Sequence, residues 1–211
     1  MNNLRLIRDQ KIIEFDYDQN FKKDDFYISS SNQPIIKLIN NWPQWEKNFL
    51  NISGDKYSGK THIVNIFLEK YKGIKFEASL FNNENLREIK THQNIILENL
   101  TKNINESLIY SLLNIIDQDN KYLIVTTINP IVEIKFNLND LKSRTNNFLL
   151  QNIKKPDDNL LFALILKNLS DRQISLDKKL INYIVKRIDR SYGKIFDFIY
   201  KIDEMSLKKK K

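Results

Sequence analysis

Gly54-Asp55-Lys56-Tyr57-Ser58-Gly59-Lys60-Thr61 brings together two of the four glycines in the whole chain, directly after the apolar run Phe49-Leu50-Asn51-Ile52. The octet matches G-x-x-x-x-G-K-[ST] at every fixed position and stands between a strand pattern and a helical one, residues 61–71 with Ile63, Ile66, Phe67 and Tyr71 apolar. Each fixed residue has a physical task. Glycine lets the backbone turn sharply and come close to phosphate. Successive N–H groups and the helix N-terminus then point at the β-phosphate. Lys60 would neutralise the β and γ oxygens, and Thr61 would ligate Mg²⁺. Gly54, Asp55, Lys56, Tyr57, Ser58, Gly59, Lys60 and Thr61 are therefore the expected nucleotide cradle.

Four further apolar runs, 74–78, 94–97, 122–126 and 148–153, read as strands, with helical periodicity between them, for example over 106–116. Strands alternating with helices predict an α/β fold with a parallel sheet covered on both faces. After Lys154-Lys155-Pro156-Asp157-Asp158 the pattern changes to three amphipathic stretches, 160–169, 176–188 and 192–205, with no strand between them. Asp157 or Asp158 can cap the first, and Asp177 favours the start of the second. The expected organisation is an N-terminal arm (1–24), a nucleotide-binding core (25–155), a three-helix lid (156–206) and a basic tail (207–211).

Composition narrows the function further. The 211 residues include no cysteine, which excludes a disulfide scaffold, a thiolate zinc site and a cysteine nucleophile. Two isolated histidines, His62 and His92, do not make a His-based metal centre. No apolar run reaches the roughly 18 residues a membrane span needs, and the N-terminus returns to charge too early for a signal peptide, so a cytoplasmic protein without a membrane partner is expected. The net charge of +8 suggests a polyanionic partner, yet half of that excess lies in the terminal lysines Lys208 to Lys211.

A hydrolysing phosphate loop needs a second acidic strand end. Asn94-Ile95-Ile96-Leu97-Glu98-Asn99 supplies it in part. Glu98 can hold Mg²⁺, although a strand that merely ends polar would read the same way. Asn99 stands where a carboxylate base is needed, and an amide cannot take a proton from water. Nucleotide binding is expected to be intact and self-catalysis impaired.

These residues together resemble the AAA+ family of the bacterial replication initiator DnaA, and most of all its truncated Hda-type members, the regulatory inactivators of DnaA, in their α-proteobacterial form. The resemblance covers nearly the whole chain: Asp25-Phe26-Tyr27-Ile28 with Ser31-Asn32 beside the adenine pocket; Asn41-Trp42-Pro43-Gln44-Trp45 ahead of the loop; Tyr122 to Thr127 with Pro130 as the sensor 1 strand, whose Thr126 would face the nucleotide; Asp140-Leu141-Lys142-Ser143-Arg144 as the D-L-x-S-R element; and 156–191 as the lid. It implies a five-stranded AAA+ core, ADP or ATP with Mg²⁺ as cofactors, and self-association. At sensor 2 the family's arginine is replaced by Gly193, with Lys194 beside it. Lys194 could replace the charge but not the bidentate fork. Full initiators continue into a helix-turn-helix domain; the present sequence ends after the lid, so sequence-specific duplex binding is not expected.

The resemblance also implies partners. Arg144 would project onto ATP bound to DnaA and stimulate its hydrolysis in trans; spacing alone favours instead a pair with Asp140, four residues earlier. Gln10-Lys11-Ile12-Ile13-Glu14-Phe15 is similar to the peptide with which Hda-type proteins dock on the replication sliding clamp, with Gln10, Ile13 and Phe15 as anchors; an ordinary edge strand or packed arm is the other reading. The expected function is negative regulation of replication initiation. A clamp- or DNA-tethered adaptor and a self-contained ATPase are the alternatives.

Overall fold

The structure, a computed structural model, describes residues 26–209, so the Gln10, Ile13 and Phe15 peptide lies outside the described residues. Five strands, β1 (Phe49–Ser53), β2 (Ile74–Glu77), β3 (Asn94–Glu98), β4 (Tyr122–Thr127) and β5 (Phe148–Asn152), form one sheet in the order β2-β3-β4-β1-β5. Every neighbouring pair is parallel. The five-stranded parallel sheet expected from the sequence is present, and each strand lies within two residues of its expected bounds.

β1 and β3 are buried along their whole length, which is why they read as continuous apolar runs rather than alternating ones. Their side chains still divide between two faces. Leu50, Ile52, Ile96 and Ile124 pack with α1 (Gln33–Asn40) and α2 (Lys60–Tyr71). Phe49, Ile95, Leu97, Leu123, Val125 and Phe148 pack on the opposite face with α3 (Asn83–Glu88), α4 (Glu106–Gln118) and α5 (Asn139–Thr145). The connection from β1 to β2 leaps to the sheet edge on one face, and the chain then steps back on the other. Such a reversal opens a crevice beyond the strand C-termini, and the phosphate loop leaves β1 at that point.

The lid comprises α6 (Asp158–Asp171), α7 (Lys178–Val185) and α8 (Tyr192–Lys209) around its own core of Leu161, Ile165, Leu169, Ile181, Val185, Ile195 and Ile199. Asp157 caps α6 by accepting from the Leu160 N–H at 2.8 Å, and Asp177 caps α7 through the Lys179 N–H at 3.0 Å. Leu160 and Tyr192 bury against the α1–α2 side of the core, joining lid and sheet. α8 continues to Lys209, into the segment expected as a basic tail, with Lys208 paired to Glu204 one turn earlier at 2.6 Å.

Candidate nucleotide-binding site

The loop between β1 and α2 is held by its own backbone. The Gly54 N–H reaches the carbonyls of Thr127 (3.2 Å) and Ile128 (3.0 Å), pinning the loop to the end of β4. A Cβ on Gly54 would fall 2.8 Å from the Ser58 Oγ and 3.1 Å from the Ile153 Cβ, so no side chain fits there. Gly59 caps α2 at φ +93°, a conformation other residues adopt only with strain. Tyr57 shares the left-handed region at φ 67° and, with Asp55 and Lys56, forms the exposed crown of the loop.

Lys60 turns its ammonium back into the ring of the loop, donating to the carbonyls of Gly54 at 2.6 Å and Asp55 at 2.8 Å. Its side chain is buried, and that burial pushes its pKa below the ordinary lysine value, partly offset by the charges of Asp55 and Glu98. A nucleotide polyphosphate would offset the same desolvation. The buried Ser58 Oγ has no hydrogen-bond partner.

Glu98 ends β3 and is buried. Its Oε2 lies 3.2 Å from the Lys75 ammonium, while its Oε1 has no partner. An unpaired buried carboxylate oxygen beside a phosphate loop fits Mg²⁺, which usually takes one or two carboxylates plus phosphate oxygens. Glu98 and the Thr61 hydroxyl would hold the ion, and it would neutralise charge on the β and γ phosphates. Among the described residues no group of three or more His, Cys, Asp or Glu gathers that could hold a metal on protein ligands alone.

Thr126 is fully buried, and its hydroxyl accepts from the Asn99 N–H at 2.9 Å, while its carbonyl accepts from the Leu100 N–H. Thr126 thus holds the turn after β3 in place. Asn99, at φ 58°, donates its amide to the Glu77 carboxylate at 2.9 Å. Sequence reasoning passed over Glu77, Lys75 and Asn51. Asn51 joins three partners in the sheet: it donates to the Val125 carbonyl and the Thr127 hydroxyl and accepts from the Ile131 N–H. Its signal was legible as one amide inside an apolar strand.

The leading segment and the lid flank the loop. Phe26 approaches the His62 ring edge-on, with centroids 4.9 Å apart, and lies over Gly59. A cavity of about 510 Å³ is lined by Tyr27, the residue after Phe26, and by Asp158, Phe162, Asn182 and Lys186 of the lid. On α8, Phe196 stacks on Tyr57 of the loop at 4.4 Å. Gly193 lies one turn before Phe196 on the same helix face, where an added Cβ would meet nothing closer than the Ser191 Oγ at 3.8 Å. Lys194 is exposed on the first turn of α8, about 200° around the helix from Phe196. The position aimed at the loop carries no side chain; the neighbouring lysine points elsewhere.

Arg144 stands apart from this crevice, on α5 and across the sheet from α2. Its local partner is not Asp140. The Arg144 Nη1 donates to Asp117 Oδ2 at 2.5 Å, and the guanidinium lies over the Tyr110 ring, 5.2 Å from its centroid. Both partners belong to α4, which packs beside α5, so the side chain reaches across to the neighbouring helix instead of back along its own.

A five-stranded parallel sheet of this order, a phosphate loop at the β1 C-terminus and a helical lid give the chain the AAA+ P-loop fold. No family model matches the sequence, and no curated protein matches it. Solved structures do. Domain III of the Thermotoga maritima replication initiation protein DnaA aligns with TM-score 0.71 at 16% identity, over 90% of each chain. A replication initiator DnaA bound to AMPPCP and single-stranded DNA aligns with TM-score 0.66 at 20% identity, over 85% of this chain and 63% of that one. The Thermotoga maritima RuvB Holliday junction branch migration motor aligns with TM-score 0.65 at 14% identity, over 91% of this chain and 67% of that one. The fold is DnaA-like, and the chain spans less than two thirds of the longer DnaA it matches.

Proposed function

We propose that this chain is an ADP- or ATP-binding AAA+ regulator of replication initiation, which docks on the sliding clamp and stimulates hydrolysis of ATP held by DnaA. The observation that carries the reading is the contrast between two sites. The chain's own crevice has a complete phosphate loop but an amide, Asn99, at the position of the base, and that amide is bonded to Glu77. Its arginine, Arg144, lies part-exposed between α5 and α4, across the sheet from α2. An arginine so placed serves a neighbour's nucleotide better than its own.

In this mechanism Gly54 to Thr61 bind the polyphosphate and Lys60 turns from the loop carbonyls to the β and γ oxygens; Thr61 and Glu98 would hold Mg²⁺, which would supply charge neutralisation. Thr126 positions the turn that carries Asn99. Tyr27 and the lid cavity suit the base, while Lys194, turned away from the loop on α8, would contribute its charge only from a distance. Nucleotide occupancy would then set the shape of the surface shown to DnaA, with Arg144 stabilising charge on the transferred phosphoryl group there, an effect worth ~10³–10⁵-fold in comparable enzymes. Gln10, Ile13 and Phe15 would bring the protein to clamps on DNA, in the cytoplasm.

The test is single-turnover hydrolysis of ATP on DnaA, with clamp loaded on DNA. The natural sequence should accelerate it and Arg144→Ala should not; equal rates for the two would refute the reading. Lys60→Ala should abolish retention of radiolabelled ADP. A self-contained ATPase is the second reading, favoured by the Glu77 carboxylate beside Asn99. It requires turnover by the protein alone that Glu77→Gln removes.

A further inference from the structure

We propose that Asp117 and Tyr110 are positioning residues for Arg144, fixing its guanidinium at the surface so that its remaining donors meet the terminal phosphate of a nucleotide held by a second AAA+ subunit. The proposal rests on the trans role given to Arg144 above. Its own support is the way α4 and α5 are joined. At their starts, the Glu106 carboxylate accepts from the Asn137 N–H (2.9 Å), the Leu138 N–H (2.7 Å) and the Asn137 side-chain amide (3.0 Å). Between the ends, Leu108, Ile109, Leu112 and Leu113 of α4 and Leu141 of α5 are buried in one cluster. At their ends, Asp117 receives Arg144. The two helices therefore form one mount, strapped at both ends with an apolar seam between.

Arginine carries five N–H donors in a planar fork. One is committed to Asp117, and the ring of Tyr110 supports the face of the plane. The other donors remain available to an anion. With Arg144 about 30% exposed and Asp117 about 46% exposed, the pair is too weak to withhold the arginine from a polyphosphate. It is strong enough to select one rotamer of a long side chain, whose ordering is then complete before the neighbour's phosphate arrives. Preorganised charge of this kind acts on the rate of the chemical step rather than on docking.

The experiment measures the saturating rate of stimulated hydrolysis and the protein concentration giving half of it, in the same DnaA, clamp and DNA assay. Asp117→Asn and Tyr110→Leu should each lower the saturating rate about tenfold and leave the half-saturating concentration unchanged. Tyr110→Phe, which keeps the ring, and Asp140→Asn, which lies on α5 outside the contacts Arg144 makes with Asp117 and Tyr110, should behave as the natural sequence. The Arg144 Nε–Hε resonance should be resolved in the natural protein and averaged by rotation in Asp117→Asn, with thermal unfolding unchanged. A natural rate in Asp117→Asn overturns the proposal, as does a faster one, which would make Asp117 a restraint. A raised half-saturating concentration at full rate also overturns it, since Asp117 would then belong to the docking surface. If the natural protein stimulates nothing, the trans role itself falls and this proposal with it. If Arg144→Ala is inactive while Asp117→Asn is not, only the positioning claim falls.

Discussion

Asn51 does what an apolar residue could not at the centre of the sheet. Buried in β1, it satisfies the Val125 carbonyl, the Thr127 hydroxyl and the Ile131 N–H together, and so sets the end of β4 against the start of the phosphate loop. Asn51→Leu would keep the volume but leave the Ile131 N–H buried without its partner. An orphaned donor costs about 1–3 kcal/mol. The expected outcome is a urea midpoint lowered by a corresponding amount, with weakened ADP binding because the Gly54 anchor at Thr127 and Ile128 shifts. Lys60 faces the opposite problem, a charge kept in a partly dry place. Because burial holds its pKa low, it loses its proton at lower pH than an ordinary lysine. Affinity for ADP should therefore decline on the alkaline side earlier than phosphate chemistry alone would dictate, a trend that calorimetry across pH would register.

The first two lid helices owe their starts to single acids, Asp157 and Asp177. Asp157 caps α6 and accepts a second bond from the Ser30 hydroxyl at 2.8 Å, tying the lid to the leading segment. The Leu160 N–H first, and Ser30 after it, hold its carboxyl below the ordinary aspartate range. A depressed folded-state pKa means a stabilising contribution that is complete above the unfolded value and vanishes as pH falls below about 4. Asp157→Ala should cost about 1 kcal/mol at neutral pH, as lost helix caps do. Its stability should then fall less steeply than that of the natural protein through the same acid window, as followed by circular dichroism. The strands and the long helices were legible because their apolar runs are long enough to show a period. α1 and α3 were not read. Each is short, and α1 shows only Ile35 and Ile39 as a buried pair behind Pro34, too little for a period to emerge.

Core and lid meet over the phosphate loop. Tyr57, left-handed at the loop crown, stacks on Phe196 of α8, and Tyr192 at the head of the same helix bonds the Lys154 carbonyl at 3.1 Å. Loop and lid are thus one mechanical unit, and a phosphate that rearranges the crown must move α8 or break the stack. An offset aromatic pair is worth about 0.5–1.5 kcal/mol beyond its area. Phe196→Ala should therefore release a fluorescent ADP about two- to tenfold faster in stopped flow, while the unfolding midpoint of the sheet changes little. Faster release with Phe196→Ala and unaltered release with Lys194→Ala would assign the lid's hold on the nucleotide to the stack instead of to the sensor 2 neighbour.

The phosphate loop, the parallel sheet and the helical lid could be read from the chain because each depends on local order: glycine spacing, apolar period, and the change of pattern after Pro156. Charge partners could not be read that way. Spacing favoured Asp140 for Arg144, yet the pair formed is with Asp117, on another helix, because α4 and α5 are brought side by side by their shared apolar seam. The same holds for Glu77 at Asn99 and for Phe196 at Tyr57, contacts between residues far apart in sequence. A motif names the groups that can meet a phosphate. Which way they face, and what holds them there, follows from packing between elements that no local pattern encodes.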